Sequence, residues 1–233
     1  SDTFLDSSWY FFRYPSTDLE NTPFDKLRVK RWLPVDMYIG GQEHAVLHLL
    51  YTRFITMALH DGGYIGFEEP FKKFRAHGLI TKDGAKMSKS KGNVVNPDEY
   101  FKQYGADTVR MYLMFVGPFS EGGGWSDKGI VGIYRFLNRV WVSCARLSLA
   151  QSGKVDLAME PLRQKTIKRV TEDLENLRYN TAISALMEYS NAIQQSNNPT
   201  VQQIGTLLTL LAPFAPHITE ELWHQLKTTN YKL

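Results

Sequence analysis

The sequence is poor in cysteine and has no long apolar run. Cys144 is the single cysteine in 233 residues, so the chain cannot close an internal disulfide. A lone cysteine in a segment with helical periodicity predicts a buried structural thiol rather than a nucleophile. No run of roughly eighteen apolar residues is present, and the first residues lack the pattern of a signal peptide. These absences fit a reducing compartment, and we expect a cytoplasmic protein without a membrane partner.

Several common catalytic motifs are missing as well. The sequence has neither a P-loop nor a Gly-x-Gly-x-x-Gly motif, which disfavours P-loop NTPases and dinucleotide-binding enzymes. No serine lies within Gly-x-Ser-x-Gly, so nucleophilic hydrolysis has little support. His44 and His48 have the spacing of a zinc pair on one helix face, but Ala-Val-Leu separates them, without the glutamate of a metalloprotease motif. We interpret the two histidines as a pocket wall or a core pair, and we predict no metal bound by the protein.

The bulk composition permits a nucleic-acid partner without requiring one. Lysine and arginine number 27 against 24 aspartates and glutamates, which gives a net charge of +3. Hydrophobic residues make up 43% and charged residues 22%, as in ordinary globular proteins. The length allows one large domain or two smaller ones, each with its own core.

The sequence pattern changes along the chain from mixed α/β to all-helical. Residues 35–39 favour a strand, Gly40-Gly41 a turn and residues 43–60 a helix, so backbone N–H groups at the helix start would face a ligand. The other expected elements are a strand at 74–80, a loop at 122–124 and helices from Asn96-Pro97 and at 106–116, 127–151, 161–177, 180–195, 200–211 and 216–227. We therefore predict an α/β domain at 1–117 followed by an all-α helical bundle at 118–233.

The segment Lys86-Met87-Ser88-Lys89-Ser90 is the most informative in the chain. It places two lysines three residues apart in a loop that is rich in hydroxyl groups and continues into Lys91-Gly92-Asn93. Two cations on a short loop suit the neutralisation of charge on a polyphosphate leaving group. Such a segment also arises by chance in lysine-rich loops, so the interpretation depends on what flanks it.

Two other stretches of the α/β part carry candidate binding residues. Gly40-Gly41 lets a flat ligand such as adenine lie against the backbone, and Glu43 can accept hydrogen bonds from a ribose diol. A plain β-to-α turn is the alternative. Residues 2–12 are dense in aromatics and small hydroxyls, which is typical of a core but also suits a pocket for an apolar side chain, with Ser7 and Tyr10 at its polar edge.

In the helical part, arginines recur near one helix face. Arg135 and Arg139 lie four residues apart, with the aromatic side chains of Tyr134 and Trp141 beside them. This stripe could follow an RNA phosphate backbone. The alternative is an ordinary solvated helix face.

Taken together, these segments resemble class I aminoacyl-tRNA synthetases, and in particular the bacterial-type leucyl enzymes. Five segments carry the resemblance, in the family's order: residues 38–51 (adenylate-site strand and helix), 86–90 (signature lysine loop), 104–110 (the segment after that loop), 135–141 and 211–217 (anticodon-binding helices). The resemblance implies a partial Rossmann-like catalytic fold over 1–117 and an anticodon-binding helical domain over 118–233.

The resemblance also implies a role for each candidate residue in the ATP-dependent activation of leucine and its transfer to tRNA(Leu), with Mg²⁺ accompanying ATP. The pocket for the leucine side chain would be lined by Ser7, Tyr10, Tyr38, His44 and His48. ATP and the adenylate would be bound by Gly40, Gly41, Glu43, His77, Met87 and Ser88. Lys89, helped by Lys86, would stabilise the pyrophosphate as the leucine carboxylate attacks the α-phosphate. Arg135 and Arg139 would contact the tRNA.

Two features of the family are missing from the sequence. The His-x-Gly-His motif, which supplies the family's other ATP contacts, is absent, and so is the editing domain. We therefore expect the chain to need a partner, the missing N-terminal catalytic half, in the same parent chain or as a second subunit. Residues 80–85 leave no room for the leucine-specific insert of some bacterial members, and no small terminal domain follows Trp223.

Two alternatives remain open at this point. The same parts could form a non-catalytic RNA-binding module whose only ligand is tRNA or another structured RNA. Among enzymes, the isoleucyl and valyl synthetases are the near alternatives. The pair His44 and His48, together with Tyr10, favours leucine.

Overall fold

The computed structural model describes residues 3–149, 157–196 and 199–228. The chain divides into two compact units, Ser1–Gly78 and Leu79–Leu233, and each is described by itself. The helices and strands of the first unit are α1 (Thr3–Ser7), α2 (Tyr10–Arg13), α3 (Lys26–Trp32), β1 (Tyr38–Gly41), α4 (His48–Asp61) and β2 (Phe74–His77).

An aromatic core supports the parallel strand pair of the first unit. Strands β1 and β2 run in parallel, with Tyr38 opposite Phe74 and Gly41 opposite His77. The buried apolar residues of this unit are Phe11, Phe12, Phe24, Val29 and Leu33. The aromatic run near the start therefore supplies core, while Tyr10 remains half-buried and available to a site.

The first strand begins later than the sequence predicts. It covers Tyr38–Gly41 instead of residues 35–39, so the two glycines belong to the strand and not to the turn. Val35 forms only an isolated bridge to Phe71, whereas Tyr38 donates its backbone N–H to the carbonyl of Lys73 and begins the continuous ladder.

The helix after this strand also begins later than expected. A 3₁₀ turn, Gln42–Ala45, follows the glycines, and α4 starts only at His48. Leu47, with φ of −110° and ψ of −95°, lies outside the helical region and separates the two segments. The expectation that His44 and His48 share one helix face is therefore wrong, although the two rings still meet.

The second unit combines a small sheet with a large helical part. Its strands are β3 (Leu79–Lys82), β4 (Ala85–Lys86) and β5 (Gly122–Gly124), in the order β4-β3-β5, with β3 antiparallel to β4 and parallel to β5. Its helices are α5 (Pro97–Tyr104), α6 (Ala106–Phe115), α7 (Asp127–Leu149), α8 (Glu160–Glu175), α9 (Tyr179–Gln195), α10 (Val201–Leu211) and α11 (Pro216–Thr228). The strand expected at 74–80 is two strands in different sheets, because the chain changes partners at Gly78.

The three glycines expected to form a loop are a strand. Gly122 takes a φ of +77°, and a Cβ there would overlap the carbonyl oxygen of Leu79 on β3. A Cβ on Gly123 would overlap the carbonyl oxygen of Val116 at the end of α6. Glycine is required because the backbone of β5 is wedged between β3 and the end of α6. A segment whose composition is typical of a loop is therefore a close-packed strand.

The helices of the second unit follow the sequence expectation closely. Asn96 caps α5 by accepting the N–H of Asp98, and Pro97 occupies the first helical position. The last two positions of the expected helix 127–151 lie outside the described residues. Helices α6 to α11 share one core, in which burial raises the pKa of the Cys144 thiol to about 12, as expected of a structural cysteine. No helix among the described residues is long and apolar enough to span a membrane.

Candidate functional site

Four predicted site residues of the first unit meet around a fifth, His48. Its Nδ1 lies 2.9 Å from the hydroxyl of Tyr38, and its Nε2 lies 2.7 Å from the backbone carbonyl of Ser7. The ring of Tyr10 stacks on His48 at 5.8 Å between centroids, and that of His44 meets it edge-on at 6.1 Å. The residues assigned to the leucine pocket therefore form one cluster, although His44 and His48 lie on separate helical segments.

The partners of His48 assign its tautomer. A backbone carbonyl only accepts hydrogen bonds, so Nε2 carries the proton and donates it to Ser7. In the neutral imidazole, Nδ1 is then an acceptor for the hydroxyl of Tyr38. Burial raises the pKa of the Tyr38 phenol, with a smaller contribution from Glu43, and burial also raises that of Tyr10. Both phenols therefore stay protonated at neutral pH.

One polar atom of this cluster lacks a partner. Nδ1 of His44 is buried and forms no hydrogen bond within the described part of the chain. Buried polar atoms are nearly always satisfied in native proteins, so an unpaired nitrogen on a ring that meets His48 edge-on is a candidate ligand contact.

The end of β1 brings the residues assigned to adenosine together. Gly40 and Gly41 are buried, and Glu43 follows in the exposed 3₁₀ turn. A Cβ on Gly41 would overlap the carboxylate of Glu43, so the glycine lets that side chain fold back over the strand end. His77 pairs with Gly41 in the strand register, and its Nδ1 lies 2.9 Å from the carbonyl oxygen of Gly78.

The signature lysines lie on a hairpin of the second unit. Strands β3 and β4 are joined by Asp83-Gly84, with φ of 54° and 73°, as a tight type I′ hairpin turn requires. Lys86 ends β4, and Lys89 begins a 3₁₀ turn. Both lysines are exposed, and no carboxylate among the described residues forms an ion pair with either one. Their charge is therefore available to a phosphate.

The arginines assigned to RNA lie on α7. Arg135 is exposed, and the guanidinium of Arg139 lies 6.0 Å from the centre of the Phe136 ring. Nε of Arg139 is buried and has no hydrogen-bond partner among the described residues. This side chain borders a cavity of about 260 Å³ lined by Asn138, Arg139, Val142, Ser143 and Gln194.

Arginines on the neighbouring helices are already paired. Arg163 donates to Glu160, whose pKa it lowers to about 2, with help from Gln164. Arg178 donates to the buried carboxylate of Asp173 at 2.8 Å, and Arg169 pairs with Glu188. Ion pairing within the protein therefore distinguishes these neutralised arginines from Arg135 and Arg139. The sequence alone could not make this distinction.

Two segments that carry the resemblance, residues 104–110 and 211–217, contact each other in the second unit. Asp107 at the start of α6 accepts hydrogen bonds from Nδ1 of His217 at 2.8 Å and from the backbone N–H of Ile218 at 2.7 Å. The buried carboxylate thus caps the start of α11 from another helix. Arg110, one turn further along α6, donates to the carbonyl of Pro213.

Two models of known protein families match the chain. The family model of class I tRNA synthetases (I, L, M and V) matches residues 2–122, and the anticodon-binding domain of tRNA ligases matches residues 158–232. The chain belongs to the class I tRNA synthetase family. Arg135 and Arg139 lie between the two matches, and the boundary near 117 stays a prediction.

Three relatives of this class I synthetase chain are named as leucine–tRNA ligases. Leucine–tRNA ligases of Thermotoga petrophila and Thermotoga maritima are each 48% identical over 246 residues, and that of Dehalococcoides mccartyi is 48% identical over 234 residues. The matches cover 97% of this chain but only 29–30% of those proteins. The chain therefore spans about three-tenths of the length of the relatives it matches.

Solved structures show the class I synthetase fold. The chain superposes over its full length on 32% of the Agrobacterium radiobacter LeuRS in a ternary complex with tRNA and LeuAMS, with a TM-score of 0.86 and 39% identity. Methionyl-tRNA synthetase of Mycobacterium tuberculosis, in complex with methionyl-adenylate, matches 96% of the chain with a TM-score of 0.71. At 21% identity, that second match supports the fold alone.

Two side chains that sequence reasoning did not single out organise the synthetase signature hairpin. Asn93 bonds to the backbone on both sides of Met87. Asp127 at the start of α7 accepts from the hydroxyl of Tyr100, from Nε1 of Trp125 at 2.9 Å and from Nζ of Lys82 at 3.5 Å. The only feature of the sequence that could have indicated the role of Asn93 is its position just after the lysine loop. Nothing in the sequence points to Asp127, because two of its three partners, Tyr100 and Lys82, come from distant segments.

Proposed function

We propose that this chain is the part of a leucine–tRNA ligase that binds the leucine side chain, contacts adenosine and carries the lysine loop for pyrophosphate departure. The observation that carries this is that Lys86 and Lys89, on a tight hairpin in a class I synthetase chain, form no ion pair with a carboxylate of the described residues. The relatives with that name support leucine as the amino acid.

The chemistry is adenylate formation. A carboxylate oxygen of leucine forms a bond to the α-phosphorus of ATP, and the bond from that phosphorus to the bridging oxygen of the β-phosphate breaks. The electron pair leaves with pyrophosphate, whose added negative charge Lys89 and Lys86 stabilise. No protein nucleophile is needed, because positioning and charge neutralisation supply the rate enhancement.

Leucine would bind against the His48 cluster. The rings of Tyr10, Tyr38 and His48 offer apolar faces to a branched side chain, and the hydrogen bonds of His48 to Tyr38 and Ser7 fix those faces. ATP would lie at the end of β1, with its ribose on Glu43 and His77 near its base. Met87 and Ser88, on the lysine loop, are assigned to the adenylate.

Magnesium would enter with ATP. Among the residues that the structure describes, no three His, Cys, Asp or Glu side chains are grouped so as to hold a metal ion. The phosphate oxygens of ATP would supply most of its ligands, as is usual for this ion.

The tRNA would lie along α7. Arg135 and Arg139 are free of carboxylates of the described residues, whereas the nearby Arg163, Arg169 and Arg178 are neutralised within the protein. Unpaired cations contribute to phosphate binding because they release counterions without first breaking an internal ion pair.

A partner surface on the first unit fits the rest of the synthetase. Helix α4 buries Thr52 and Thr56 but leaves Leu50, Phe54 and Met57 exposed, with Phe54 65% exposed. These three lie at i, i+4 and i+7 on one face. Strands β1 and β2 form a parallel pair, an arrangement that normally occurs inside larger sheets covered on both faces. The missing catalytic half would cover this face and extend the sheet.

A chimera tests the proposal. This chain replaces the matching segment of the Thermotoga maritima leucine–tRNA ligase, and leucine-dependent ATP–pyrophosphate exchange is measured. We expect exchange in the chimera and none in the chain alone, with leucine preferred over isoleucine and valine. The substitution Lys89→Ala should lower kcat about 10²- to 10³-fold, whereas Lys102→Ala, an exposed lysine on α5, should leave kcat unchanged.

The non-catalytic alternative predicts a different result. Arg135 and Arg139, which form no ion pair within the described part of the chain, favour RNA binding whether or not catalysis occurs. A folded chimera that binds tRNA but exchanges no pyrophosphate would contradict the ligase function and favour the RNA-binding module.

A further inference from the structure

Asn93 closes the base of the lysine loop with a single side chain. Its Oδ1 accepts the backbone N–H of Ser88 at 2.9 Å, and its Nδ2 donates to the backbone carbonyl of Lys86 at 3.3 Å. A third, longer contact reaches the carbonyl of Lys82 at 3.5 Å. The amide therefore holds the backbone on both sides of Met87.

This bridge uses both halves of the amide. The side chain of asparagine has a carbonyl acceptor and an N–H donor. It can therefore pair with a backbone N–H and with a backbone C=O at the same time, as the backbone of a neighbouring strand does. Gly92 takes a φ of +65°, which turns the chain so that Asn93 faces back into the loop. The hydroxyls of Ser88 and Ser90, 2.6 Å apart, add a second tie.

We propose that Asn93 is a positioning residue for the lysine loop. Its amide fixes the backbone between Lys86 and Lys89, so that both ammonium groups lie where the pyrophosphate charge develops. The side chain does not touch the reacting atoms. This inference rests on the proposed function of the two lysines.

Proteolysis of the 233-residue chain tests the anchor without any activity. Trypsin cleaves after lysine, so its cleavage after Lys86, Lys89 and Lys91, identified by mass spectrometry, reports the order of the loop. Asn93→Ala should raise that rate about five- to tenfold, because two hydrogen bonds are removed. Asn96→Ala is the matched control: it removes the cap of α5 and should leave loop cleavage at the wild-type rate.

Exchange kinetics of the chimera test the role in catalysis. Asn93→Ala should lower kcat about 10- to 100-fold, because small misplacement of a catalytic group is costly. The KM for ATP should change less than about threefold, since the loop acts mainly on the departing group. The isosteric Asn93→Asp keeps the acceptor for Ser88 but loses the donor, so it should fall between wild type and Asn93→Ala in both assays.

The outcomes separate this inference from the proposed function. Wild-type cleavage rates in both Asn93 variants would overturn the anchor. Faster cleavage with an unchanged kcat would overturn the catalytic positioning. A wild-type chimera without exchange would overturn the function of the lysines and with it the positioning role, while the cleavage rates would still decide whether Asn93 orders the loop.

Discussion

At the scale of single residues, one histidine organises the cluster that is proposed to bind leucine. His48 joins a backbone carbonyl on α1 to a phenol on β1, so its two hydrogen bonds fix the position of the Tyr38 ring. A pocket that discriminates between apolar side chains by shape needs such fixed walls, since one methylene changes binding by only about 1–3 kcal/mol.

Removing the Tyr38 hydroxyl tests this organisation. In the chimera, Tyr38→Phe should raise the KM for leucine about three- to tenfold, because a buried acceptor on His48 loses a bond of about 1 kcal/mol. The KM for ATP should not change. Tyr64→Phe, at an exposed tyrosine of the same unit, is the control. An equal loss for leucine and ATP in Tyr38→Phe would indicate general disruption of the unit.

At the scale of elements, the short glycine strand positions the hairpin of the second unit. Strand β5 contributes almost no side-chain area, yet it pairs along β3 from Leu79 to Thr81. It thereby links the hairpin to the turn between α6 and α7. Asp127, at the first position of α7, adds one side-chain bond to the same hairpin, from Lys82 of β3.

Two glycine substitutions in one unit should have opposite effects on stability. Gly122→Ala should lower the free energy of unfolding by about 2 kcal/mol or more, because the residue has positive φ and no room for a Cβ. Gly132→Ala, in the interior of α7 with open space around it, should raise it by about 0.5–1 kcal/mol. Urea titration followed by circular dichroism measures both. A neutral Gly122→Ala would show that β5 does not pack as described.

At the scale of the whole molecule, the small net charge conceals an uneven distribution. Carboxylates neutralise Arg163, Arg169 and Arg178, whereas Arg135 and Arg139 remain unpaired with the carboxylates of the described residues. A net charge of +3 therefore underestimates the positive potential along α7.

Salt dependence of tRNA binding tests this distribution. For the chain alone with a tRNA(Leu) transcript, the double variant Arg135→Ala/Arg139→Ala should reduce the slope of log K against log salt by about 2, because each arginine neutralises one phosphate. Arg169→Ala, which removes a paired arginine, should leave the slope unchanged. Equal slopes in all three proteins would place the RNA elsewhere.

The sequence predicted the helices of the second unit better than the strands, and the residues that it grouped around His48 do lie close together. Helices can be predicted from capping residues and apolar periodicity, as at Asn96-Pro97. The strand at 122–124 could not be predicted, because its glycines pair through backbone hydrogen bonds that leave no side-chain pattern. The role of Asp127 depends on bonds to Tyr100 and Lys82, which a local pattern does not encode. The role of Asn93 depends on the turn that brings its amide back to Ser88, five residues earlier, and residue types alone do not reveal that turn.

The two-residue turn at Asp83-Gly84 makes the lysine hairpin accessible to labelling. Both residues are exposed, and the strands they join end at the paired residues Lys82 and Ala85. A flexible peptide that carries a fluorophore could thus be inserted between Asp83 and Gly84. Its two ends would lie close together, so the pairing of β3 with β4 would be kept. Attached about three residues from Lys86, such a label would report in solution whether added ATP changes the environment of the loop.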